Sequence, residues 1–378
     1  MIKVLLCDAA FSSVPLLRSL KANGFYVGVC GIREEDICHH LADKSHLIDY
    51  SNSKQLKKIF LNESYDYLVP GCTDASYLSA SRVANDLNLP GYEKYEVSKI
   101  IHDKLKFRDL LGKNNIPSPK YTKNIKDVNK LRFPILAKPI NLYSGLGIQK
   151  FNSIDDFNDA SLERNLKYVF EEFIEGVLYS HSAFIKNGQI AVDFFVKEFC
   201  TVYPYQVNSS HMAYDLNANL IDHIRLSIMK VLKILNINEG VMHTQFIMKN
   251  NQFWLVESCR RCPGDLYSEL IHLATDIEYS NIFISSFCEL EPFQDKFPSM
   301  ERNVARHTLS SSVDCIFQSS SVYQEAKKIK VISLKKVGDI LLAAPKDRAQ
   351  IFFVEFFNRS LMEKETKNLC KKIVLNQI

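Results

Sequence analysis

Between Ile2 and Gly91 short apolar runs alternate with segments of helical spacing, and few folds accept that alternation. Ile2 to Cys7 is apolar and ends at Asp8, Ser13 to Ala22 has helical spacing with Gly24 as its stop, and Tyr26 to Cys30 is a second short strand. The pattern repeats with a helix over Lys54 to Leu61, a strand over Tyr67 to Pro70, a helix over Ala75 to Leu87 and a break at Pro90 and Gly91. Strands joined through helices run parallel, and a parallel sheet is covered on both faces. The first strand is followed by Asp8, Ala9, Ala10, Phe11, Ser12 and Ser13, not by G-x-G-x-x-G, so neither a dinucleotide nor a dehydrogenase is supported there.

A length of 378 residues favours two or three domains. Hydrophobic content of 46% with 24% charged residues is that of a globular chain and excludes wholesale disorder. The net charge of +4 is spread along the chain, which argues against a polynucleotide partner. The first apolar run is broken by Asp8 and is too short to cross a bilayer, so it reads as a strand, and no membrane partner is expected. Ten cysteines lie mostly in apolar runs (Cys7, Cys30, Cys200, Cys288), as reduced core thiols do, and a cytoplasmic location follows. Cys259 and Cys262 form a lone C-x-x-C without the second pair or histidines that zinc needs, and only part of the strand-to-helix context of a redox motif.

Beyond Tyr92 to Val97, where a domain boundary is expected, a helix runs through Ser98 to Leu111 and ends at Gly112, and Pro117 and Pro119 force an extended exit. A strand over Arg132 to Pro139 carries Lys138 and is followed by Ser144, Gly145, Leu146 and Gly147. A lysine beside a glycine loop suits phosphate, because the backbone N–H groups of the loop close over anionic oxygens. Phe170 to Gly176 is an apolar-acidic strand end where Phe173 and Ile174 offer backbone groups beside apolar side chains, a usual way to hold adenine. A helix over Ile221 to Leu235 leads into a hairpin with Gln245 on its first strand, a turn over Lys249 to Gln252, and Glu257 ending its second. The two side chains offer oxygens to a hard cation such as Mg²⁺, and Arg260 and Arg261 offer guanidinium groups to anions. Val202 to Asp215, without periodicity, is a substrate-type loop in which Tyr205, Asn208, His211 and Tyr214 are the candidates. His243 beside an apolar strand reads as structural. From about Phe297 short strands and one helix near Met362 to Ile373 suggest a small α+β cap.

In this order the pieces resemble the ATP-grasp superfamily of ATP-dependent carboxylate-amine ligases, over Ile2 to about Leu290: an α/β pre-domain, the Asp103 and Lys104 helix with Arg108, Phe133 to Pro139 with Lys138, the Ser-Gly-x-Gly loop, Glu171 to Gly176, and Gln245 to Glu257 followed by Cys259 and Arg261. The resemblance implies an α/β and α+β multidomain chain with the ATP-grasp fold: a Rossmann-like pre-domain over 1–96, an ATP-grasp domain over 97–296 with a mobile subdomain at about 120–180, and a C-terminal α+β domain over 297–378. It implies ATP with Mg²⁺, or Mn²⁺. Lys104 and Lys138 would hold the phosphates, Ser144, Gly145 and Gly147 would close over them, and Glu171, Phe173 and Ile174 would line adenine. Gln245 and Glu257 would carry the metal, and Arg261 would steady an acyl-phosphate, with Lys138 and Arg261 the catalytic pair. The partners implied are a small-molecule carboxylate and an amine, with a homo-oligomer left open. Three positions depart from the pattern: Gln245 where an acid is common, Cys259 where an asparagine is common, and Leu178 where a ribose-binding acid stands, for which Glu175 is a substitute. Two other readings stay open, a nucleotide-binding or scaffold protein that lost catalysis through Gln245 and Cys259, and a C-x-x-C redox or zinc module.

Overall fold

A computed structural model describes residues 1–140, 145–163, 165–291 and 301–377. The N-terminal alternation gives strands β1 (Lys3–Cys7), β2 (Tyr26–Gly31), β3 (Lys44–Leu47) and β4 (Tyr67–Pro70), all parallel, in the order β3-β2-β1-β4. Val4, Leu6, Val27 and Val29 enter one core with helices Val14–Ala22 and Tyr279–Cys288, and Leu5, Cys7, Cys30 and Leu68 enter another with Leu56, Phe60, Ala80 and Val83. Apolar residues on both faces are what a sheet buried on both sides requires.

The expected single helix from Ser98 is two, Tyr95–Ile101 and Lys104–Lys113. Asp103 breaks it: its backbone is extended and its carboxylate accepts the N–H groups of Leu105 and Lys106, which makes it an N-cap. The second helix is followed by a small antiparallel sheet of β5 (Tyr121–Thr122), β6 (Ile135–Pro139), β7 (Gln149–Phe151) and β8 (Tyr168–Glu172), ordered β5-β8-β6-β7.

A larger antiparallel sheet follows. It contains β9 (Val177–Lys186), β10 (Gln189–Phe199), β11 (Ser209–Met212), β12 (Gly240–Lys249), β13 (Gln252–Cys259) and β14 (Val304–Leu309). The last segment adds β15 (Cys315–Val322), β16 (Lys328–Ser333), β17 (Ile340–Leu341), β18 (Gln350–Glu355) and β19 (Ile373–Gln377). The order of the large sheet is β13-β12-β9-β10-β11-β14-β18-β16, and β17-β15-β19 form a separate three-stranded sheet. The boundary expected near Phe297 lies outside the described residues, yet β14, β18 and β16 beyond it are hydrogen-bonded continuations of the same sheet. The C-terminal segment is therefore tied into the central sheet by backbone ladders. Val202 to Asp215, expected to be irregular, contains β11. The hairpin β12-β13 turns through Asn250 and Asn251, both at positive φ (50° and 59°), as a two-residue hairpin turn demands. Among the described residues no helix is long and apolar enough to cross a membrane.

Candidate active site

Register decides which side chains of the large sheet meet. Glu257 stands opposite Gln245 and Gln245 opposite Ser180, while Leu178 stands opposite Glu198, Glu198 opposite Ser210, and Ser210 opposite Arg306. Residues directly opposite, or two apart on a strand, share a face, so all of these side chains lie on one side. The other side carries Tyr179, Phe195 and Phe246, which pack under the helix Ala218–Leu235. One face of the sheet is thus a core, and the other carries at this end carboxylates, amides, hydroxyls and a guanidinium before it runs on through Val196, Phe194, Phe184 and Val241 into the core shared with the first domain.

Gln245 reaches across β9 and donates Nε2–H to Oε2 of Glu198 at 2.6 Å, which turns its amide oxygen away from that carboxylate. Burial pushes the Glu198 carboxyl up to about 7, with the nearby Asp265 charge adding to the effect. Nothing in the sequence around Phe199 marks Glu198. It stands beside Leu178, so this face has an acid one strand over from the position where the resemblance expects one.

Arg108, buried on the helix Lys104–Lys113, connects the small sheet to the large one. Its Nε and Nη2 donate to the two carboxylate oxygens of Glu171 at 2.9 and 3.1 Å, and Nη1 donates to the carbonyl of Leu255 at 2.8 Å, two residues before Glu257. Lys138 on β6 donates Nζ–H to Glu171 at 2.7 Å. Burial works to raise the Glu171 carboxyl, but the charges of Arg108 and then Lys138 outweigh it and hold the group at about 2. One carboxylate under two cations leaves a net positive charge at this hub, which suits a polyanion. Lys104 directs Nζ to the carbonyl of Ile140 at 3.4 Å, at the entrance of the glycine loop. Lys104, Lys138 and Glu257 are therefore borne by elements that share one hub.

Glu171 was expected against adenine; its oxygens are instead occupied by Arg108 and Lys138. The Phe173 N–H donates to the carbonyl of Pro134 at 2.8 Å, so it is spent within the fold, and the Phe173 ring lies under Lys150. Ile174 is half-buried beside it. Gly145 and Gly147 are both at positive φ (76° and 69°), and a Cβ on Gly145 would lie 3.0 Å from the carbonyl of Tyr205. Glycine is needed there for conformation and for closeness. Ser144 lies outside the described residues.

The four substrate candidates are not brought together. Tyr205 backs the glycine loop, whereas Asn208 accepts from the N–H and hydroxyl of Thr201 at 2.7 and 3.1 Å and so braces its own turn. His211 faces the core side of the sheet, one residue out of phase with Ser210, and Tyr214 lies under Arg359 against the C-terminal core. Period-two alternation separates neighbours in sequence onto opposite faces, which a loop reading does not anticipate.

The two arginines after Glu257 divide their roles. Arg260 is buried and donates to Glu93 at 3.0 Å and to the carbonyls of Val241 and Glu239 at 2.5 Å each, bolting the first domain to β12. Arg261 donates Nε–H to Asp74 at 2.6 Å, and His102 meets the same carboxylate at 3.0 Å. Arg261, expected at an acyl-phosphate, is thus paired at the domain junction and remains partly exposed. Glu175, the proposed substitute acid, is exposed and near Lys249 instead. His243 donates or accepts at Ser182 Oγ (2.7 Å), and burial pushes its ring down to about 3, which fits the structural role expected.

For a metal, the donors on this face are oxygens: the exposed Glu257 carboxylate, the Gln245 amide and the Glu198 carboxyl. Burial pushes the Cys259 thiol up to about 11, and its Sγ is directed to the carbonyl of Arg261 at 3.7 Å. Among the described residues no three His, Cys, Asp or Glu side chains converge as a cage. A hard cation that takes most of its shell from phosphate and water fits such a set, and a structural zinc does not.

A small and a large antiparallel sheet joined through Arg108, following a parallel-sheet domain, are the architecture of an ATP-grasp fold. The chain is similar to phosphoribosylglycinamide synthetase from Anaerococcus prevotii (TM-score 0.80, 17% identity, 99% of both chains). It is also similar to an L-amino acid ligase from Bacillus licheniformis (TM-score 0.82, 16% identity, 100% of this chain and 98% of that one). A further similar structure is N5-carboxyaminoimidazole ribonucleotide synthetase from Thermotoga maritima (TM-score 0.74, 14% identity, 99% of both chains). In sequence it is 25% identical over 265 residues to a formate-dependent phosphoribosylglycinamide formyltransferase of Prochlorococcus marinus, spanning 66% of this chain and 67% of that protein. No protein-family model matches it. The chain has the ATP-grasp fold.

Proposed function

We propose that this protein is an ATP-dependent ligase that activates a small-molecule carboxylate as an acyl-phosphate and couples it to an amine. The observation that carries this reading is the Arg108 hub, in which one guanidinium joins Glu171 of the small sheet to the strand that ends in Glu257. In this reading the cations beside Glu171 and the Glu257 carboxylate would face a single cleft.

In this reading a substrate carboxylate oxygen attacks the γ-phosphorus of ATP, an O–P bond forms, and the bond to the β-phosphate oxygen breaks to release ADP. The amine nitrogen then attacks the acyl carbon, a C–N bond forms, phosphate leaves and the nitrogen loses a proton. Both reactants of the first step are anions, so their repulsion must be screened. Lys138 and Lys104 supply fixed positive charge along the phosphates, and Glu171 keeps Lys138 oriented. Gln245 and Glu257 would hold Mg²⁺ or Mn²⁺, which supplies charge neutralisation at the phosphates. The loop at Gly145 and Gly147, which packs against Tyr205, would cover the cleft and exclude water from the activated acid.

The full-length protein, supplied with ATP, Mg²⁺ and panels of carboxylic acids and amines, should release ADP only when an acid is present and yield product only with the amine. Glu257→Gln and Lys138→Ala should each lower that release by about 100-fold or more. ATP binding without ADP release from any acid would sink the ligase reading, and full turnover in Lys138→Ala would sink the assignment of the phosphate site.

A further inference from the structure

The two arginines that follow Glu257 are held in unlike ways, and the difference points past a purely structural role for the second. Arg260 and Glu93 are sealed, with 2% and 4% of their side chains exposed, and the Arg260 guanidinium spends Nε, Nη1 and Nη2 inside the fold. Arg261 and Asp74 are open by comparison, at 22% and 46%. Arg261 spends Nε on Asp74 at 2.6 Å and Nη1 on the carbonyl of Cys262 at 3.3 Å, and its Nη2 has no hydrogen bond among the described residues. An arginine gripped at its root, with its far end uncommitted, is arranged to meet an anion.

Asp74 is itself held in place. It opens the helix Asp74–Leu87 after β4, and β4 joins β1 on the side away from β2. Between β1 and β4 the strand order therefore reverses, and the crevice outside the carboxyl ends of the strands at such a point is the usual place for a ligand on a parallel sheet. The chain after Arg261 packs against that crevice: a Cβ on Gly264 would lie 3.1 Å from the carbonyl oxygen of Cys72.

The Oδ1 of Asp74 that accepts from Arg261 also meets Nδ1 of His102 at 3.0 Å. The backbone N–H of Arg260 donates to Nε2 of that ring at 3.3 Å, so Nε2 is an acceptor and Nδ1 carries the hydrogen given to Asp74. Tyr77 stacks on the His102 ring at 5.0 Å and donates its hydroxyl to Glu93 at 2.8 Å. The contacts run from the sealed pair through His102 and Asp74 to the open guanidinium. A bolt between the first domain and β12 is already supplied by Arg260 and Glu93. What His102 adds is direction, because it fixes the carboxylate that grips Arg261. Direction matters for a group that must meet charge as it develops, since a misplacement of about 1 Å can cost about 100-fold in rate.

We propose that Asp74 and His102 are positioning residues, which hold Arg261 by its Nε so that its outer N–H groups meet the oxygens of the acyl-phosphate. The first domain then sets the geometry of a group borne by the end of β13. The proposal rests on the ligase reading and goes beyond it in naming what orients Arg261.

The test uses the full-length protein with ATP, Mg²⁺ and an acid that supports ADP release. Asp74→Ala, His102→Asn and His102→Gln are compared with wild type in kcat, in KM, in urea unfolding and in the yield of hydroxamate when hydroxylamine traps the acyl-phosphate. Asp74→Ala should lower kcat about 100-fold, with KM for ATP within about twofold of wild type. The asparagine amide places an N–H where Nδ1 stands, and the glutamine amide reaches the position of Nε2. His102→Asn should therefore keep about tenfold more of kcat than His102→Gln, and the hydroxamate yields should follow the same order. Should Asp74→Ala fail to fold, the histidine pair carries the test. Wild-type kcat in a folded Asp74→Ala, equal kcat in the two histidine variants, or losses that track unfolding stability alone would overturn the proposal and leave a structural bolt. If wild type releases no ADP with any acid, the ligase reading falls and the proposal falls with it; turnover in wild type that the variants share overturns the proposal alone.

Discussion

Glu171→Gln tests the electrostatic role of the hub at nearly constant volume, since glutamine removes the charge and turns one of the two acceptor oxygens into an N–H donor. In the folded protein the carboxyl is held at about 2 against an ordinary value of 4.5. A difference of roughly 2.5 units corresponds to about 3 kcal/mol of folding stability. The folded pKa is depressed, so this contribution is complete above about 4.5 and is lost as the pH falls towards about 2. The substitution also leaves Arg108 and Lys138 buried without their partner, which works in the same direction. Urea unfolding at pH 7, followed by the fluorescence of Trp254 on β13, should show Glu171→Gln less stable than wild type by about 3 kcal/mol. Repeated at pH 3, the deficit should be clearly smaller, because wild type has begun to lose the same interaction. A variant as stable as wild type at pH 7, or a deficit that does not change with pH, would refute the view that two cations hold this carboxylate ionised.

Arg260→Met removes the buried partner of Glu93 and the donors to Val241 and Glu239, and should cost about 3–5 kcal/mol in thermal or urea unfolding. Adding Glu93→Gln to that variant should restore part of the loss, since no lone charge then stays buried. Gly145→Ala meets both a positive φ and the Tyr205 carbonyl, so it should cost about 1–2 kcal/mol locally and raise KM for ATP in steady-state kinetics. Cys259→Ser and Cys262→Ser together should leave ATP turnover within a few fold of wild type; its abolition would return the C-x-x-C pair to the centre of the chemistry.

The ends of the chain differ in how much could be read from it. The parallel domain was legible because apolar runs and helical spacing alternate with glycine and proline stops, and each element buries its own apolar stripe. The hairpin of Gln245 and Glu257 was legible because two asparagines at the turn and the apolar alternation of its strands fix register locally. Asp103, whose cap splits one expected helix into two, carried a signal that its position before Lys104 made available. Lys138 and the glycine loop were readable for the same reason, as single side chains in locally defined settings.

Glu198 and Arg306 were not readable, although they lie on the same face as Gln245. They come from strands 108 residues apart in sequence, and only the order β12-β9-β10-β11-β14 puts them in one row with Gln245. For the same reason the sequence did not show that His211 lies on the opposite face from Ser210: a slip of one residue moves a side chain through the sheet. The partner of Glu171 was likewise decided in three dimensions, where Arg108 arrives from a helix that precedes it by 63 residues. The sequence by itself determined the elements and the residue types suited to phosphate and metal, because those depend on local spacing. The tertiary structure alone decided which charges neutralise one another and which stay unmatched, because that depends on strand order and register, which bring distant residues into contact.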